Sequence, residues 1–454
     1  MFFYTSKYFF LSIPTRIFPP TDSSKIRLYE KIISNKVTFN MIYMKENKSV
    51  YEESLKVHEL HHGVLEVASK VALKDVHDLS IDYTPGVAEP CRAIRANPDT
   101  VYTYTSKGNF VAVVTDGSAV LGLGDIGAAA AMPVMEGKAI LFKELGGIDA
   151  FPICLDTKDT KEIIRTVKHI APTFGGINLE DISAPRCFEI EDKLRREIDI
   201  PVFHDDQHGT AVVTYAALIN ALKIVGKDIN DIRVAISGAG AAGVAIARML
   251  IRVGVRDIVI CDSRGIIRQS RREGMNFMKF NLAGLTNRRN LKGGLYEAME
   301  GADVFIGVSA AGIVSKDMIR NMANDSIVFA MANPTPEIMP DDASQAGARI
   351  IATGRSDFPN QVNNVLGFPG IFRGALDTRA TDINIEMKIA AAHALAGIIE
   401  ESELDKDHIL PGPLDKRVMP AVSSAVAKAS VLSGAARVCP LPEEVEKHAK
   451  ILVS

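Results

Sequence analysis

The sequence lacks long uninterrupted apolar runs, an excess of basic charge and closely spaced cysteines. No stretch approaches the roughly 18 apolar residues that a bilayer crossing needs, so no membrane span is predicted. Lys and Arg number 52 against 55 Asp and Glu, whereas nucleic-acid-binding proteins normally carry a basic surplus. The five cysteines lie far apart with no C-x-x-C, which argues against a disulfide framework or a thiolate zinc site. We therefore expect a cytoplasmic protein that binds neither membranes nor nucleic acid.

The first 40 residues differ from the rest of the chain. They hold nine of the 29 Phe and Tyr residues, with six basic and two acidic side chains. A basic, aromatic leader of this kind could be an organelle-targeting segment, but it shows no Arg-rich amphipathic period and no cleavage signature. The alternative that we favour is a non-functional extension ahead of an internal start at Met41 or Met44.

Length and composition predict several folded units. At roughly 150 residues per domain, 454 residues correspond to about three domains. Hydrophobic residues make up 47% of the chain and charged residues 24%, which is an ordinary globular mixture. A helical pattern over 55–72 is followed by short apolar runs at 111–115 and 150–155, which are typical of buried strands in a first α/β unit.

From residue 232 onward, apolar runs alternate with helical patterns. Five such runs have connections suited to crossovers, and they are 233–237, 257–261, 303–307, 326–330 and 349–352. This alternation predicts a doubly wound parallel sheet. Helical spacing then dominates to the end, over 387–399 and 418–432.

The expected architecture is therefore α/β, with an N-terminal α/β substrate domain, a Rossmann-type dinucleotide-binding domain and C-terminal helices. The expected segments are an extension over 1–45, a substrate domain over 46–205, a nucleotide domain over 206–376 and a helical segment over 377–454.

One of two G-x-G-x-x-G motifs lies in the right context for a dinucleotide. Gly238, Gly240 and Gly243 follow an apolar strand and open an amphipathic helix. Asp262 ends the next strand, 19 residues beyond Gly243, where a carboxylate can reach the ribose hydroxyls. The helix N-terminus would then face the pyrophosphate. This motif predicts a dinucleotide site.

The other match, Gly122-Leu-Gly124-Asp-Ile-Gly127, fails the same test. Pro133 interrupts the helix that should follow, and no strand ending in an acid comes at the right distance. We interpret this segment as a tight loop at a substrate site.

Carboxylates near two predicted strand ends suggest a metal site. Glu180 and Asp181 follow a Gly-Gly pair, and Asp206 follows the strand-like 200–203. Mg²⁺ and Mn²⁺ prefer such oxygen ligands, although acidic pairs at helix starts are more often caps. His204 and His208 offer a zinc alternative at i,i+4 spacing, but the glutamate of H-E-x-x-H is missing.

Lys138 and Tyr83 are candidate proton-transfer groups. Lys138 follows a glycine and precedes an apolar run, and burial there could lower its amine pKa toward neutrality. Tyr83, in Tyr-Thr-Pro-Gly, would otherwise be a core residue with a satisfied hydroxyl.

From about residue 60 to residue 432 the chain resembles the malic enzymes, in their shorter bacterial-type form. The resemblance is carried by ordered motifs: Tyr83-Thr-Pro-Gly-Val-Ala, Thr115-Asp-Gly, the glycine loop at 122–127, Glu136-Gly-Lys138, the segment 174–181, the segment 203–209, Asn333-Pro-Thr-Pro-Glu337 and Asn363-Asn-Val-Leu-Gly-Phe-Pro369.

The resemblance implies oxidative decarboxylation of L-malate to pyruvate and CO₂ with reduction of NAD⁺ or NADP⁺. It assigns the general base to Lys138, the orientation of that base to Asp205, and the protonation of the enolate at C3 to Tyr83. It makes Glu180, Asp181 and Asp206 the ligands of Mg²⁺ or Mn²⁺. Asn333 and Asn364 become hydrogen-bond partners of substrate and nicotinamide, and a homo-oligomer is expected.

Two departures from the broader family stand out. The larger malic enzymes carry an arginine where this chain reads Ser118-Ala119-Val120, so the group that neutralises the malate carboxylate is not identified. We also expect no appended phosphate-acetyltransferase-like domain. The rival functions are another nicotinamide dehydrogenase, which needs no carboxylate metal site, and a catalytically inactive sensor on the same fold.

Neighbouring residues favour different cofactors, some NAD⁺ and some NADP⁺. The Asp262 carboxylate suits the ribose of NAD⁺ and repels a 2′-phosphate, whereas Ser263 and Arg264 suit the 2′-phosphate of NADP⁺. We favour NADP⁺, with Asp262 turned away from the cofactor.

Overall fold

A computed structural model of the chain describes residues 50–120 and 122–453. The expected extension over 1–45 lies outside these residues. Residues up to Val64 and residues from Leu65 onward form two separate units, and the first contains one described helix, α1 (Val50–His61). The helix predicted over 55–72 is thus wrong beyond His61. The reason is Gly63, which has φ 102° and donates its amide to the His58 carbonyl at 3.0 Å, closing the last turn.

The second unit begins with three short helices and a four-stranded parallel sheet. The helices are α2 (Val76–Asp82), α3 (Ala88–Ala96) and α4 (Val101–Tyr104). The strands are β1 (Phe110–Thr115), β2 (Asp149–Cys154), β3 (Gly176–Leu179) and β4 (Val202–His204), in the order β2-β1-β3-β4. The connecting helices are α5 (Ala128–Gly146), α6 (Thr160–Ile170) and α7 (Arg186–Glu197). Residues 111–114 of β1 are fully buried, as expected for a central parallel strand.

Helix α5 passes through Pro133, which contradicts the predicted interruption. Pro133 is the sixth residue of the helix, so it removes only one backbone hydrogen bond, at the first turn and a half. The apolar face that contains Ala131, Met135 and Phe142 packs into the core and offsets that loss. Lys138 lies on this same buried face.

The six-stranded sheet confirms the doubly wound prediction. Its strands are β5 (Arg233–Ser237), β6 (Asp257–Asp262), β7 (Gly265–Ile266), β8 (Val304–Gly307), β9 (Ile327–Ala330) and β10 (Ile350–Thr353), in the order β10-β9-β8-β5-β6-β7. All pairs are parallel except β6 with β7. Because β6 and β8 flank β5, the strand order reverses at β5, which is the switch point where such sheets bind ligands.

The remaining helices of the second unit follow in chain order. They are α8 (Asp205–Val225), α9 (Ala241–Arg252), α10 (Phe277–Leu285), α11 (Leu295–Met299), α12 (Lys316–Arg320), α13 (Pro340–Gln345), α14 (Phe368–Asp377), α15 (Ile385–Ala396), α16 (Val418–Leu432) and α17 (Pro442–Leu452). Glycines at 370 and 374 let α14 approach α16 closely, since a Cβ there would lie 2.8 Å and 2.5 Å from α16 atoms.

Helix α8 is the central helix of this unit. Its length of 21 residues and mean hydropathy of 1.3 would allow it to cross a membrane, but 67% of its apolar window is buried inside the protein, as in a core helix. The Asn220 amide donates to the carbonyls of Ala396 at 2.9 Å and Ile409 at 3.0 Å. These two bonds tie α8, which begins with Asp205 and Asp206, to the C-terminal segment.

Asn220→Ala should lower the free energy of unfolding by about 1–3 kcal/mol, because two buried carbonyls lose their donor. Chemical denaturation measures this effect. The control is Asn324→Ala, at an exposed asparagine outside the core, which should change the stability by less than about 0.5 kcal/mol. Equal losses in the two variants would show that Asn220 does not anchor α8.

Candidate active site

Two adjacent strands bring four acidic residues to one edge of the first sheet. Glu180 and Asp181 follow β3, and Asp205 and Asp206 follow β4 as the first residues of α8. Strands β3 and β4 pair in parallel, so their carboxyl ends meet. Glu180, Asp181 and Asp206 each offer an oxygen within 4.8 Å of the others, as the predicted metal site requires.

Lys138 lies inside this carboxylate cluster. Its Nζ donates to Asp205 Oδ2 at 2.7 Å, lies 3.0 Å from Glu180 Oε1, and stands 4.3 Å from the centroid of the Phe368 ring. Burial would lower the pKa of Lys138, but the carboxylates of Asp205 and Glu180 outweigh burial and hold the pKa above its ordinary value. The expectation of a lowered lysine pKa is therefore wrong, because the sequence did not show how many carboxylates face it.

The four carboxyl groups of the cluster have too few positive charges beside them to neutralise them. Burial raises the pKa of all four acids, and the repulsion of Asp206 adds to the rise at Asp181 and Glu180. Four carboxylates face one ammonium group. Asp181 Oδ2 and Asp205 Oδ1 are also buried without a hydrogen-bond partner among the residues described. An oxygen-liganded divalent cation such as Mg²⁺ or Mn²⁺ fits this set of donors.

Backbone contacts fix the position of Asp181. Its φ of 53° is in the left-handed region, which aspartate tolerates better than most residues. Its amide donates to Asp206 Oδ2 at 2.8 Å, and its carbonyl accepts from the Ala119 amide at 3.0 Å. The cluster is thus held across three segments of the chain.

The zinc alternative is wrong, because the two histidines do not converge. His208 Nε2 lies 2.7 Å from Glu191 Oε1, whereas His204 ends β4 and lies 3.6 Å from Asp206 Oδ2. Burial lowers the pKa of both imidazoles to about 4, so they are neutral near pH 7. Over residues 50–120 and 122–453, Glu180, Asp181 and Asp206 are the one group of three that could hold a metal.

The second glycine motif forms a tight turn from β5 to α9. A Cβ on Gly238, which has φ 110°, would lie 2.4 Å from the Val308 carbonyl oxygen, and one on Gly243 would lie 1.9 Å from the Gly238 oxygen. Gly240 is the N-cap residue of α9 and has open space around it. The turn therefore leaves room for a ligand at the helix N-terminus beside the switch point.

Cations that were not predicted from the sequence neutralise Asp262. Its carboxylate is paired with Arg271, accepts from Lys279 Nζ at 2.6 Å, and accepts from the Arg264 amide at 2.9 Å. Burial opposes ionisation of Asp262, but these donors lower its pKa to about 2. The Arg264 guanidinium is paired with Glu273. Arg271 lies in the irregular segment after β7 and Lys279 lies in the first turn of α10, and the sequence did not show that either faces Asp262.

The first glycine loop faces the second sheet. A Cβ placed on Gly122 would lie 3.3 Å from Pro334 Cδ, so the loop lies against the segment that carries Asn333. That segment is held by Glu337, which is buried and accepts from the amides of Ser309 at 2.8 Å and Ala332 at 3.0 Å. Glu337 was part of a quoted motif, but its positioning role was not predicted.

Asn364 lies beside the start of α8. A Cβ placed on Gly209 would lie 3.1 Å from the Cβ of Asn364 and only 1.8 Å from Asp205 Oδ1. Gly209 therefore provides the space that the Asp205 carboxylate occupies. The structure places Asn364 beside Asp205.

Tyr83 is not brought into the cluster. It is the C-cap residue of α2 and is 67% exposed, and no described residue forms a hydrogen bond with its hydroxyl. Helices α2 and α3 contain no buried residues.

Arg186 reaches the segment in which the larger malic enzymes carry an arginine. Its guanidinium is paired with Asp116 at 2.8 Å and donates to Ser118 Oγ at 2.9 Å and Ser183 Oγ at 3.0 Å. Because Asp116 already balances its charge, Arg186 acts as a positioning residue for the 116–118 turn.

A Rossmann-type domain, its open glycine turn and a buried lysine-carboxylate cluster define a dinucleotide-dependent oxidoreductase with a site suited to a divalent cation. The family described as "Malic enzyme, N-terminal domain" matches residues 62–163 and 157–195, and "Malic enzyme, NAD binding domain" matches residues 207–433. The chain therefore belongs to the malic enzyme family.

Individual relatives agree. The chain is 59% identical over 406 residues to a "Bifunctional malic/malolactic enzyme" of Bacillus subtilis, covering 89% of this chain and 99% of the relative. It is 59% identical over 376 residues to an "NAD-dependent malic enzyme" of Geobacillus stearothermophilus, covering 83% and 78%. The crystal structure of a malic enzyme from Pyrococcus horikoshii superposes with a TM-score of 0.86 at 49% identity, covering 89% of this chain and 96% of that one.

The chain is thus an NAD(P)-dependent oxidoreductase that oxidatively decarboxylates malate, which sets aside the rival dehydrogenase and the inactive sensor. Both cofactor types occur among its relatives, since others at 47–49% identity are named NADP-dependent malic enzymes.

Gly209→Ala should lower malate turnover by at least about tenfold, because the new methyl group displaces the Asp205 carboxylate. Steady-state rates together with cofactor binding by fluorescence measure the effect, and binding should be retained. The control is Gly284→Ala on α10, where a Cβ meets nothing within 4 Å. Normal turnover in Gly209→Ala would mean that the position of Asp205 does not matter.

Proposed function

We propose that Lys138, in its neutral amine form, is the general base that takes the C2 hydroxyl proton of L-malate, and that Asp205 orients it. A divalent cation at Glu180 and Asp206 would offset the carboxylate charge that holds the lysine pKa above its ordinary value. The observation that carries this assignment is the position of the Lys138 Nζ between Asp205 Oδ2 at 2.7 Å and Glu180 Oε1 at 3.0 Å. Asp205 has no exposed surface, so its bond fixes the lysine without exchange with water. The Phe368 ring closes the other side of the amine.

Glu180, Asp181 and Asp206 would hold Mg²⁺ or Mn²⁺. When bound, such a cation polarises the new C2 carbonyl and stabilises the enolate that remains after CO₂ departs. Glu180 belongs both to this ligand set and to the contacts of Lys138. The same carboxylate therefore influences cation affinity and the proton affinity of the base.

Asn333 and Asn364 supply amides on the two sides of the reaction centre. Asn333 follows β9 beside the first glycine loop, and Asn364 lies next to Asp205. Their side chains suit the carboxylates of malate and the carboxamide of the nicotinamide. Gly238, Gly240 and Gly243 would receive the pyrophosphate of the cofactor.

The chain works as a homo-oligomer in which Tyr83 reaches the site of a second copy. Between residues 67 and 104, nine large apolar side chains are exposed, including Tyr83 itself. Such a concentration marks a surface that another protein covers. A second copy both covers this surface and delivers the tyrosine that protonates C3 of the enolate.

Mixing two inactive variants tests the origin of Tyr83. Lys138→Ala removes the base and should cost about 10²–10⁴ in rate, and Tyr83→Phe should also be severely impaired. If Tyr83 acts on the partner's site, co-expression of the two variants restores up to roughly a quarter of wild-type turnover, because one site of each mixed dimer is intact.

The control pair is Lys138→Ala with Lys143→Ala, whose lysine is exposed on the same helix. Lys143→Ala should be active alone. No recovery in the Tyr83→Phe and Lys138→Ala mixture would place Tyr83 in its own chain's site. Full activity of Tyr83→Phe would remove Tyr83 from the mechanism.

We propose further that NADP⁺ is preferred. The Asp262 carboxylate already accepts from Arg271, Lys279 and the Arg264 amide, so no lone pair is directed at a ribose hydroxyl. Arg271 and Lys279 also leave a net positive charge at this site. A 2′-phosphate fits that charge better than a hydroxyl does.

Lys279→Gln and Arg264→Ala should each lower the ratio of kcat/KM for NADP⁺ to that for NAD⁺ by about tenfold, the value of one charge-assisted contact. Rates with both cofactors give the ratio. Arg320→Ala, at an exposed arginine paired with Asp317, should leave it unchanged. A wild type that prefers NAD⁺ tenfold would contradict the proposal.

The remaining assignments follow the sequence prediction. The substrate domain spans 46–205, the nucleotide domain spans 206–376 and the helical segment spans 377–454. The enzyme is cytoplasmic, and residues 1–45 take no part in catalysis.

A further inference from the structure

A cavity of about 310 Å³ lies between the start of α8 and helices α7, α9 and α15. Its polar lining residues are Arg195, Gln207, His208, Arg248, Asn384 and Lys388. None of them has been assigned above to malate, metal or dinucleotide. The wall formed by α9 begins at Val244, one residue beyond the glycine turn. This volume is at the lower end of the range for small-molecule sites.

Lys388 is an unpaired cation in this cavity. It is only 4% exposed, and among the described residues its ammonium group forms no hydrogen bond and no ion pair within 4.0 Å. Its nearest aromatic contact is the Phe203 ring, with Nζ 5.6 Å from the centroid. Burial lowers the Lys388 pKa to about 8, against the pull of Glu191, so the amine is still mostly charged at neutral pH. A buried charge of this kind requires a partner.

The second cation at the cavity is also without a carboxylate. The Arg248 guanidinium donates to the amide oxygen of Asn281 at 3.1 Å, and no acidic side chain of the described residues lies within ion-pair distance. Arg195 differs, because its guanidinium is bound at two points by Asp382, at 2.8 Å and 2.6 Å. The charge of Arg195 is therefore neutralised by a carboxylate, whereas the charge of Arg248 is not.

One acid lies behind the cavity wall. Glu191 Oε2 accepts from Gln207 Nε2 at 3.1 Å, and Glu191 Oε1 lies 2.7 Å from His208 Nε2. Lys388 and Arg248 are thus two unpaired cations near a single carboxylate. The cavity has a surplus of positive charge.

We propose that this cavity binds a small anion of the carboxylate or phosphate class, held by Lys388 and Arg248 and distinct from the malate site. Gln207 and His208 directly follow Asp205 and Asp206 on α8. A bound anion therefore contacts the same helical turn that carries a metal ligand and the partner of the base, without occupying the malate position.

Isothermal titration of the full chain tests this proposal, with inorganic phosphate and succinate as the two probes. The buffer contains neither phosphate nor carboxylate, saturating NADP⁺ occupies the cofactor site, and Mn²⁺ is left out so that the malate site does not attract succinate. We expect one of the two anions to bind wild type, and Lys388→Met and Arg248→Gln to weaken that binding at least tenfold each. Phosphate alone would identify a phosphate ligand, and succinate alone a dicarboxylate.

Lys428→Met is the matched control, since Lys428 is exposed on α16 and does not line the cavity. It should bind the anion as wild type does. If Lys388→Met fails to fold, Arg248→Gln decides alone, because the arginine is exposed and its replacement does not disturb the core. The proposal would be overturned by equal affinities in wild type and both variants. It would also be overturned if neither anion bound at concentrations up to about 10 mM, roughly the weakest affinity of interest.

Discussion

The structure depends on one electrostatic constraint, the confinement of four carboxylates and a single ammonium group in a buried cluster. Burial makes each ionised acid costly unless a positive charge compensates it. Lys138 compensates part of that charge through Asp205 and Glu180. The remaining negative charge at Glu180, Asp181 and Asp206 suits a divalent cation, which would balance two further charges.

Helix α8 connects this constraint to the rest of the protein. Its first two residues are Asp205 and Asp206. The next two, Gln207 and His208, line the cavity that also contains Lys388. Near the other end of the helix, Asn220 is hydrogen-bonded to the C-terminal segment. Gly209 leaves the space for Asp205. One helix thus positions Lys138 through Asp205, contributes Asp206 to the carboxylate cluster and adjoins the second cavity. A long apolar helix is required here because both of its sides are covered.

The sequence was sufficient for the sheets, the glycine turn and the grouping of Glu180, Asp181 and Asp206, because strand periodicity and motif spacing are local signals. It was not sufficient for ion-pair partners. Arg271 neutralises Asp262 from an irregular segment and Lys279 does so from α10, and nothing local marks either of them as its partner. The Lys138 pKa was predicted in the wrong direction because its sign depends on carboxylates that are 42 and 67 residues away. Helix α5 continues through Pro133 because tertiary packing outweighs one lost hydrogen bond.

The most direct test of the central claim is a titration of the metal-free protein with Mn²⁺. Electron paramagnetic resonance measures the binding, in the absence of malate and cofactor. The account predicts one tight site per chain in wild type. It also predicts that Asp206→Asn weakens this site by at least about tenfold, the effect of losing one charged oxygen ligand, while Asp231→Asn at a loop position leaves it unchanged. Equal Mn²⁺ affinity in wild type and Asp206→Asn would contradict the account.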